Sequence, residues 1–245
     1  MLNKSELASA PVDFNLYQKE KDYLQHLILS RIYSRVGNEL TFKGGTALQK
    51  CYGLNRFSED LDFTLSGSLR FEKMEDSLKE VARFYPSSFA KKVGKNSFSY
   101  VVKVEGPLFQ GPITLQTVRI EISAREEPVL PAINRIVNPV YMDLQPYSVL
   151  VMDPREILSE KIRALMTRLK ARDLYDFHFL LQKQIVLEPS LADEKLKFYN
   201  KKYDPEALLS RAVDLKTQWE KVLPSLLKNV PDFAVVISDL KKYLE

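Results

Sequence analysis

The sequence predicts an α+β protein, in which a mixed β-sheet flanked by helices is followed by a helical domain. Apolar residues recur at helical spacing from about Asp13 to Val36, and apolar and polar residues alternate strictly from Leu61 to Leu65. After Asp153-Pro154 helical spacing dominates. These observations predict a sheet-containing core over residues 1–152 and a helical domain over residues 153–245.

The composition is that of an ordinary globular protein, and it excludes several functional classes. The 245 residues carry a net charge of +4, which is too mild to indicate a dedicated nucleic-acid binder. A single cysteine, Cys51, excludes an internal disulfide, and the two histidines, His26 and His178, are too few for a zinc cluster. We find no signal sequence or membrane-length apolar run, and we expect a cytoplasmic protein.

The predicted core opens with a helix, a short strand and a glycine turn. The helix stops at Gly37-Asn38, and the strand Leu40-Thr41-Phe42 runs into Lys43-Gly44-Gly45. Adjacent glycines predict a sharp turn that a ligand or another backbone can approach closely. Thr46 is predicted to cap a short helix whose free amide groups would bind an anion such as a triphosphate.

The alternation after the glycine turn places two carboxylates on one face of a strand. Leu61, Phe63 and Leu65 form the apolar face, and Asp60 and Asp62 point the other way. Neighbouring carboxylates repel one another, and hard divalent cations such as Mg²⁺ are the usual reason to tolerate them. We therefore predict a metal site for phosphate chemistry; the alternative is a solvated strand with ordinary polar alternation.

A later strand can supply a third carboxylate. Residues 113–123 alternate so that their apolar side chains face the core and Glu121 faces the opposite side. If this strand lies beside the first acidic strand, Glu121 completes a three-carboxylate site. The alternative is that Glu121 pairs with Arg119 or Arg125 on a solvated sheet face.

A basic hairpin is predicted between the two acidic strands. A helix over residues 69–84 precedes it, and the hairpin covers residues 89–104 and turns at Gly94-Lys95-Asn96. Four lysines either contact RNA or lie on solvated edge strands, where lysine discourages aggregation. They are Lys91, Lys92, Lys95 and Lys103.

The helix that begins at Asp153-Pro154 carries an inward lysine. Its apolar positions follow 3.6-residue spacing, and Lys161 projects within that apolar arc. A buried lysine needs a carboxylate or phosphate partner, because burying its charge alone is expensive. A bound triphosphate would be one such partner; the alternative is a lysine that extends to solvent.

Further charges follow along the same stretch. In an unbroken helix Arg168, Asp173 and Asp176 would lie in or beside the arc of the inward lysine, although a phase slip is expected near Lys170. The alternative role for Asp173 is a structural ion pair with Arg172. Three more helices are predicted over residues 191–199, 205–223 and 232–244.

Three motifs resemble those of one protein family. The pattern F-K-G-G-T-x-L occurs at Phe42 to Leu48, R-F-S-E-D-L-D-F at Arg56 to Phe63, and an E-K helix ending in R-D-x-x-D at Glu160 to Asp176. In these motifs the chain resembles the AbiEii/AbiGii toxin family, within the DNA polymerase β-like nucleotidyltransferase superfamily. The resemblance implies a nucleotidyltransferase core and a helical domain that completes the active-site cleft.

The resemblance also implies a function. It is that of a toxin in a toxin–antitoxin or phage-defence system, which transfers a nucleoside monophosphate from a triphosphate to a hydroxyl group. A tRNA 3′ end would be the acceptor, two Mg²⁺ ions or Mn²⁺ would serve the reaction, and an antitoxin would be encoded nearby. The alternatives are transfer to a protein or small molecule, or a catalytically idle relative that binds nucleotide or a partner protein.

The expected site residues form three overlapping groups. In the family, the lysine of the E-K motif and the first aspartate of R-D-x-x-D are linked to activity, and they correspond to Lys161 and Asp173. The metal ligands would be Asp60, Asp62 and Glu121. The catalytic residues would be Asp60, Asp62, Glu121, Lys161 and Asp173. The nucleotide would be bound by Lys43, Gly44, Gly45, Thr46, Arg56, Ser58 and Lys161.

Overall fold

The computed structural model of the chain describes residues 1–244, which form two compact units. The first unit comprises Met1–Gly53 and Phe57–Met152, and the second comprises Leu54–Arg56 and the chain from Asp153 onward.

The strands are β1 (Leu40–Lys43), β2 (Leu61–Leu65), β3 (Ser87–Val93), β4 (Ser97–Val104), β5 (Gln116–Ser123), β6 (Ile133–Val137) and β7 (Tyr147–Val151). The helices are α1 (Lys4–Ser9), α2 (Leu16–Arg35), α3 (Gly44–Tyr52), α4 (Phe71–Lys79), α5 (Pro154–Thr167), α6 (Ala171–Gln182), α7 (Pro189–Lys197), α8 (Pro205–Val213), α9 (Lys216–Val222) and α10 (Phe233–Leu244).

A seven-stranded sheet organises the first unit, in the order β3-β4-β5-β2-β1-β7-β6. The central pairs β2–β5 and β1–β7 are parallel, whereas the other neighbours are antiparallel. The predicted α+β class with a mixed sheet is therefore confirmed. The predicted hairpin is also present, because β3 and β4 pair in register and connect through residues 94–96. Most importantly, the two acidic strands β2 and β5 are neighbours.

The apolar core of the first unit lies between α2 and the sheet. Leu24, Leu27 and Ile28 of α2 are fully buried, as are Phe42 and Phe63 on the central strands. Every residue of α2 from Glu20 to Leu29 is buried, so the helix is enclosed on nearly all sides rather than on one apolar stripe. Its buried polar side chains consequently take specific partners, as described for Gln25 below.

Several element boundaries differ from the predictions, and three of them are described here. Residues 113–115 do not extend β5, because Pro112 begins a 3₁₀ turn over Pro112–Thr114 and the strand starts only at Gln116. The predicted helix over residues 205–223 is divided into α8 and α9. The helix that carries Lys161 ends at Thr167, where the backbone of Arg168 becomes extended, and α6 begins at Ala171. The phase slip expected near Lys170 is thus a break between two helices.

The second unit is helical throughout its regular structure from α5 to α10. Apolar residues of α5 and α6, such as Ile157, Ile162 and Leu174, are fully buried. Trp219 is 1% exposed, and its indole N–H donates a 3.0 Å hydrogen bond to the carbonyl of Pro231. Within residues 1–244 no helix is long and apolar enough to cross a membrane.

Candidate active site

The glycine turn leads directly from β1 into α3. Lys43 is the N-cap residue, and α3 begins at Gly44, whose φ of +75° lies in the left-handed region that favours glycine. The prediction that Thr46 caps this helix is wrong, because the helix begins two residues earlier. The Thr46 hydroxyl instead donates a 2.5 Å hydrogen bond to the carbonyl of Asp60. Thr46 therefore attaches α3 to the segment just before β2.

Two carboxylates occupy adjacent register positions on parallel strands. Asp62 of β2 is paired with Glu121 of β5 on one side and with Lys43 of β1 on the other. Paired residues point to the same face of a sheet, so both carboxylates share one face. Asp62 is half-buried and Glu121 is exposed. The sheet register thus forms the Asp62–Glu121 pair that was expected if the two acidic strands were neighbours.

The start of α3 lies against one of these carboxylates. A Cβ atom added to Gly44 would be 2.6 Å from Oδ2 of Asp62 and 3.1 Å from its Cβ atom. Such contacts are shorter than van der Waals distance, so a side chain at residue 44 would displace Asp62. Glycine is therefore required here both for the positive φ and for the close approach of the helix to Asp62.

Asp60 lies one residue before β2 rather than within it, and its side chain is half-buried. Its loop is fixed from two directions. In addition to Thr46, the buried side-chain amide of Gln25 donates 2.9 Å hydrogen bonds to the carbonyls of Ser58 and Glu59. Gln25 was not predicted as a site residue, because its only signal in the sequence is a polar residue within the apolar run of α2.

The pKa of Glu121 is raised, in part because the other two acids are close to it. Partial withdrawal from water raises the pKa of Glu121, and the charges of Asp62 and Asp60 raise it further. Arg119 and Lys92 act in the opposite direction and lower this pKa, but less strongly. Glu121 forms no ion pair with Arg119 or Arg125 in the described chain, in contrast to the alternative considered from the sequence.

We refer to Asp60, Asp62 and Glu121 as the carboxylate cluster. In the part of the chain that the structure describes, no three His, Cys, Asp or Glu side chains are gathered closely enough to hold a metal ion. The donor chemistry nevertheless fits a hard divalent cation, because carboxylate oxygens are its preferred ligands. Such an ion would also remove the mutual repulsion that raises the pKa of Glu121.

A second charged group lies within the second unit, and we call it the buried charge cluster. It consists of Arg56, Lys161, Asp173 and Asp176, all buried. Arg56 binds Asp176 in a bidentate manner, with Nε–Oδ1 and Nη2–Oδ2 distances of 2.6 and 2.7 Å. Lys161 Nζ lies 2.7 Å from Asp176 and 2.9 Å from Asp173. Half-exposed Arg168 adds a 3.1 Å ion pair to Asp173.

The cations of this cluster hold both aspartates ionised. Burial would raise the pKa of Asp173, but Lys161 and Arg168 outweigh burial and lower it. For Asp176, Arg56 and Lys161 overcome burial in the same way and lower its pKa. The structure therefore gives the inward Lys161 two carboxylate partners, and the partners of Asp173 are Lys161 and Arg168 rather than Arg172.

The predicted site residues thus form two groups, one in each unit. The carboxylate cluster is joined by Lys43, Gly44 and Thr46 at the start of α3. Lys161 and Asp173 belong to the buried charge cluster, together with Arg56. Asp176, the second aspartate of the R-D-x-x-D motif, ion-pairs with both Arg56 and Lys161.

Comparison with solved structures shows that other proteins share this fold. MenT4, described as a nucleotidyltransferase toxin from Mycobacterium tuberculosis H37Rv, is 19% identical with a TM-score of 0.67, and the match covers 100% of this chain and 89% of that one. JHP933 from Helicobacter pylori is 22% identical with a TM-score of 0.63, covering 100% and 92% of the two chains. At these identities the similarity shows that the chain has the fold of these proteins.

The family follows from the sequence itself. A family model described as nucleotidyl transferase AbiEii toxin, type IV toxin–antitoxin system, matches residues 27–245, and the chain therefore belongs to this family. It is a nucleotidyltransferase toxin of a type IV toxin–antitoxin system, which implies a nucleoside triphosphate substrate and a cognate antitoxin. A comparison with curated proteins finds no match.

Proposed function

We propose that the chain transfers a nucleoside monophosphate from a nucleoside triphosphate to a hydroxyl group of RNA, with the 3′ end of tRNA as the acceptor. The observation that carries this proposal is the Asp62–Glu121 pair on adjacent parallel strands, beside the glycine start of α3. Like charges on one sheet face disfavour folding unless a cation uses them. The ligand would therefore be a metal-bound polyphosphate. The carboxylate pair would bind its metal ion, and the start of α3 would bind its phosphates.

In this proposal the carboxylate cluster holds divalent metal, with two Mg²⁺ ions as the full complement and Mn²⁺ as a substitute. When bound, Mg²⁺ neutralises charge on the phosphates and makes the acceptor hydroxyl more acidic. Asp60, Asp62 and Glu121 would provide the carboxylate ligands. Thr46 and Gln25 position these ligands indirectly, because their hydrogen bonds fix the segment that leads into β2.

The amide groups at the start of α3 would bind the phosphates. Gly44 and Gly45 present backbone N–H groups without side chains that would obstruct an anion. Lys43 belongs to the same turn, and we propose that it adds positive charge there, while Thr46 contributes its backbone amide and Ser58 its hydroxyl. The acceptor oxygen would form a bond to the α-phosphorus as the bond to the pyrophosphate oxygen breaks. Pyrophosphate leaves, and the hydroxyl proton passes to solvent.

The proposed roles of Arg56 and Lys161 toward the leaving pyrophosphate, and of Asp173 in activity, rest on the sequence motifs. In the structure a phosphate would compete with Asp173 and Asp176 for both cations. With Arg168 included, the buried charge cluster has three cations and two carboxylates.

The proposal is tested by incubating the protein with total tRNA, Mg²⁺ and each of the four α-labelled nucleoside triphosphates in turn. We expect label in tRNA from at least one nucleotide, and none above background with Asp62→Asn. Asp76→Asn is the matched control, because it removes an equal charge from an exposed position of α4. Absence of label in tRNA with every nucleotide would overturn the RNA acceptor, and label transferred equally by Asp62→Asn would overturn the assigned site.

A further inference from the structure

The half of the sheet beyond the carboxylate cluster has an open face. On β3, β4 and β5 alternate residues face the core, and the residues between them form the side that also carries Glu121. Apart from one alanine and one valine, the latter side chains are polar or charged, and those of the edge strand β3 are exposed. Three of them are the cations Lys92, Lys103 and Arg119, which are all exposed.

Sheet register places these cations relative to the carboxylates. Glu121 is opposite Ser99, and Ser99 is opposite Lys92, so Lys92 lies two strands from Glu121, roughly 10 Å across the sheet. Arg119 precedes Glu121 by two residues on β5, roughly 7 Å along the strand. Lys103 is opposite Thr117, one step further along the same face. The cations thus extend from the carboxylate cluster outward in two directions.

The adjacent Lys91 has a different environment. It pairs with Tyr100 in the register and therefore points to the core side, where its Nζ lies 2.6 Å from Glu75 of α4 and 4.7 Å from the ring centre of Phe71. By contrast, Lys92, Lys103 and Arg119 form no ion pair within 4 Å among the residues that the structure describes. Two neighbouring lysines of one strand therefore have different roles.

Protection of a sheet edge does not explain the three cations. Lysines that discourage aggregation belong on edge strands, and only Lys92 is on such a strand. Lys103 and Arg119 lie on interior strands β4 and β5. They repel one another, and no carboxylate other than those of the carboxylate cluster is opposite them in the register.

We propose that this open face binds the phosphate backbone of the acceptor RNA, with Lys92, Lys103 and Arg119 as the phosphate-binding residues. The inference rests on the proposed function, since the acceptor must approach the carboxylate cluster. A small acceptor would need no cations two strands away, whereas successive phosphates of a polynucleotide match cations that are spread over several strands. The face would bind RNA without reading its sequence, because all three contacts are to the backbone.

The proposal is tested by direct binding, without nucleotide, so that the result does not depend on catalysis. Fluorescence anisotropy of labelled total tRNA is measured between 0.05 and roughly 0.3 M salt for the unaltered chain, Lys92→Ala, Lys91→Ala and the triple variant Lys92→Ala/Lys103→Ala/Arg119→Ala. Each lost phosphate contact should weaken binding about four- to fivefold near 0.15 M salt, because affinity falls with salt to a power of about 0.7 to 0.9 per contact. We expect that loss for Lys92→Ala and none for Lys91→Ala.

The triple variant should bind at least about fiftyfold more weakly, and its logarithmic salt slope should be smaller by about 2 to 3. Lys92→Arg should restore the binding lost in Lys92→Ala, since the contact needs only the charge. Equal losses for Lys91→Ala and Lys92→Ala, or an unchanged triple variant, would overturn the proposal. If RNA binding follows these expectations but no label enters RNA, the RNA-binding surface is supported and the proposed nucleotidyl transfer is contradicted. If label enters RNA equally with the triple variant, the surface fails and the transfer stands.

Discussion

The two charged groups of this protein differ in composition: one contains acids only, and the other contains acids and bases. The carboxylate cluster places acids of like charge together on one face of the sheet, where partial burial and the charges of Asp62 and Asp60 raise the pKa of Glu121. The buried charge cluster places acids and bases together inside the second unit, where the bases lower the pKa of Asp173 and Asp176. In the first group neighbouring acids raise the pKa of an acid, whereas in the second group each acid lies within 3.1 Å of a base.

Under the proposed function, this difference distinguishes a site that binds a ligand from a group that also stabilises the second unit. A cluster of like charges costs stability and is explained only by a cation or a reaction that uses it. A buried and fully paired cluster constrains the helices that contribute to it, and removing one member leaves an uncompensated charge. Arg56 and Asp176 are 120 residues apart, so their bidentate bond also fixes the short segment Leu54–Arg56 to α6.

The largest effect is expected for the carboxylate cluster. Asp62→Asn keeps the shape of the side chain but removes a charge needed for the metal, so nucleotidyl transfer should fall about a thousandfold, equivalent to roughly 4 kcal/mol. Its melting temperature should not fall, since the substitution also relieves repulsion with Glu121. Label transfer and thermal unfolding measured on the same preparation test both statements, and a parallel loss of folding would undo the distinction between the two clusters.

The buried charge cluster should show the reverse pattern. Asp176→Ala leaves Arg56 and Lys161 without their shared carboxylate and should lower the free energy of unfolding by about 3–5 kcal/mol. Urea denaturation followed by tryptophan fluorescence reports on the second unit, because Trp219 is buried there. The control is Asp76→Ala, which breaks an exposed pair with Lys79 and should have no measurable effect. Equal stability of the two variants would refute a structural role for the cluster.

Gly44→Ala combines strain with displacement of Asp62. The positive φ alone costs about 1–2 kcal/mol of stability, and the new methyl group would push the Asp62 carboxylate away. A shift of about 1 Å at a reacting group lowers the rate roughly a hundredfold. Gly37→Ala is the matched control, because φ is +66° there and nothing lies within 4 Å of the added Cβ atom. We expect both variants to lose stability but only Gly44→Ala to lose transfer; equal transfer in the two would contradict the close approach.

Acid should weaken the second unit through its ionised aspartates. Asp173 and Asp176 have a lower pKa in the folded state than their ordinary value of 3.8, so their stabilisation is present above about pH 4 and is lost as pH falls below it. Each contributes a slope of up to about 1.4 kcal/mol per pH unit in that range. Urea midpoints measured from pH 5 to pH 2 should fall less steeply for Asp173→Asn, and identical slopes would show that Asp173 is not held ionised.

The smallest effect is a change in the titration of one side chain. Because Asp62 raises the pKa of Glu121, Asp62→Asn should lower that pKa, whereas Asp76→Asn should not. A carboxyl ¹³C titration of Glu121 by NMR measures this directly. Cation binding should likewise weaken as pH falls through this raised pKa, since a protonated Glu121 is no longer a ligand. An unchanged titration in Asp62→Asn would contradict the sheet-register account of the pair.

Much of the fold could be predicted because local patterns set it. Alternation in β2 and β5 identified the face of Asp62 and Glu121, and the glycine turn identified the start of α3 to within three residues. Other features depend on contacts distant in sequence. The bond between Thr46 and Asp60 and the bidentate bond between Arg56 and Asp176 form only when separate elements pack, and no local spacing encodes them.

Lys161 illustrates what the sequence pattern could predict and what it could not. Its position within an apolar arc correctly indicated a buried lysine that needs an anionic partner. The sequence could not decide whether that partner was a phosphate or a carboxylate, because the break at residues 168–170 changes which side chains of α6 face α5. In the folded chain that break allows Asp173 and Asp176 to reach the lysine together.

The most direct test of the account is Mn²⁺ binding, measured from the electron paramagnetic resonance signal of free Mn²⁺. The unaltered chain should bind the ion, and Asp62→Asn and Glu121→Gln should each weaken binding roughly tenfold or more. Asp76→Asn should bind as the unaltered chain does. If Asp62→Asn and Glu121→Gln also retained full Mn²⁺ binding while remaining folded, the carboxylate cluster would not be the metal site, and the proposed active site would be contradicted.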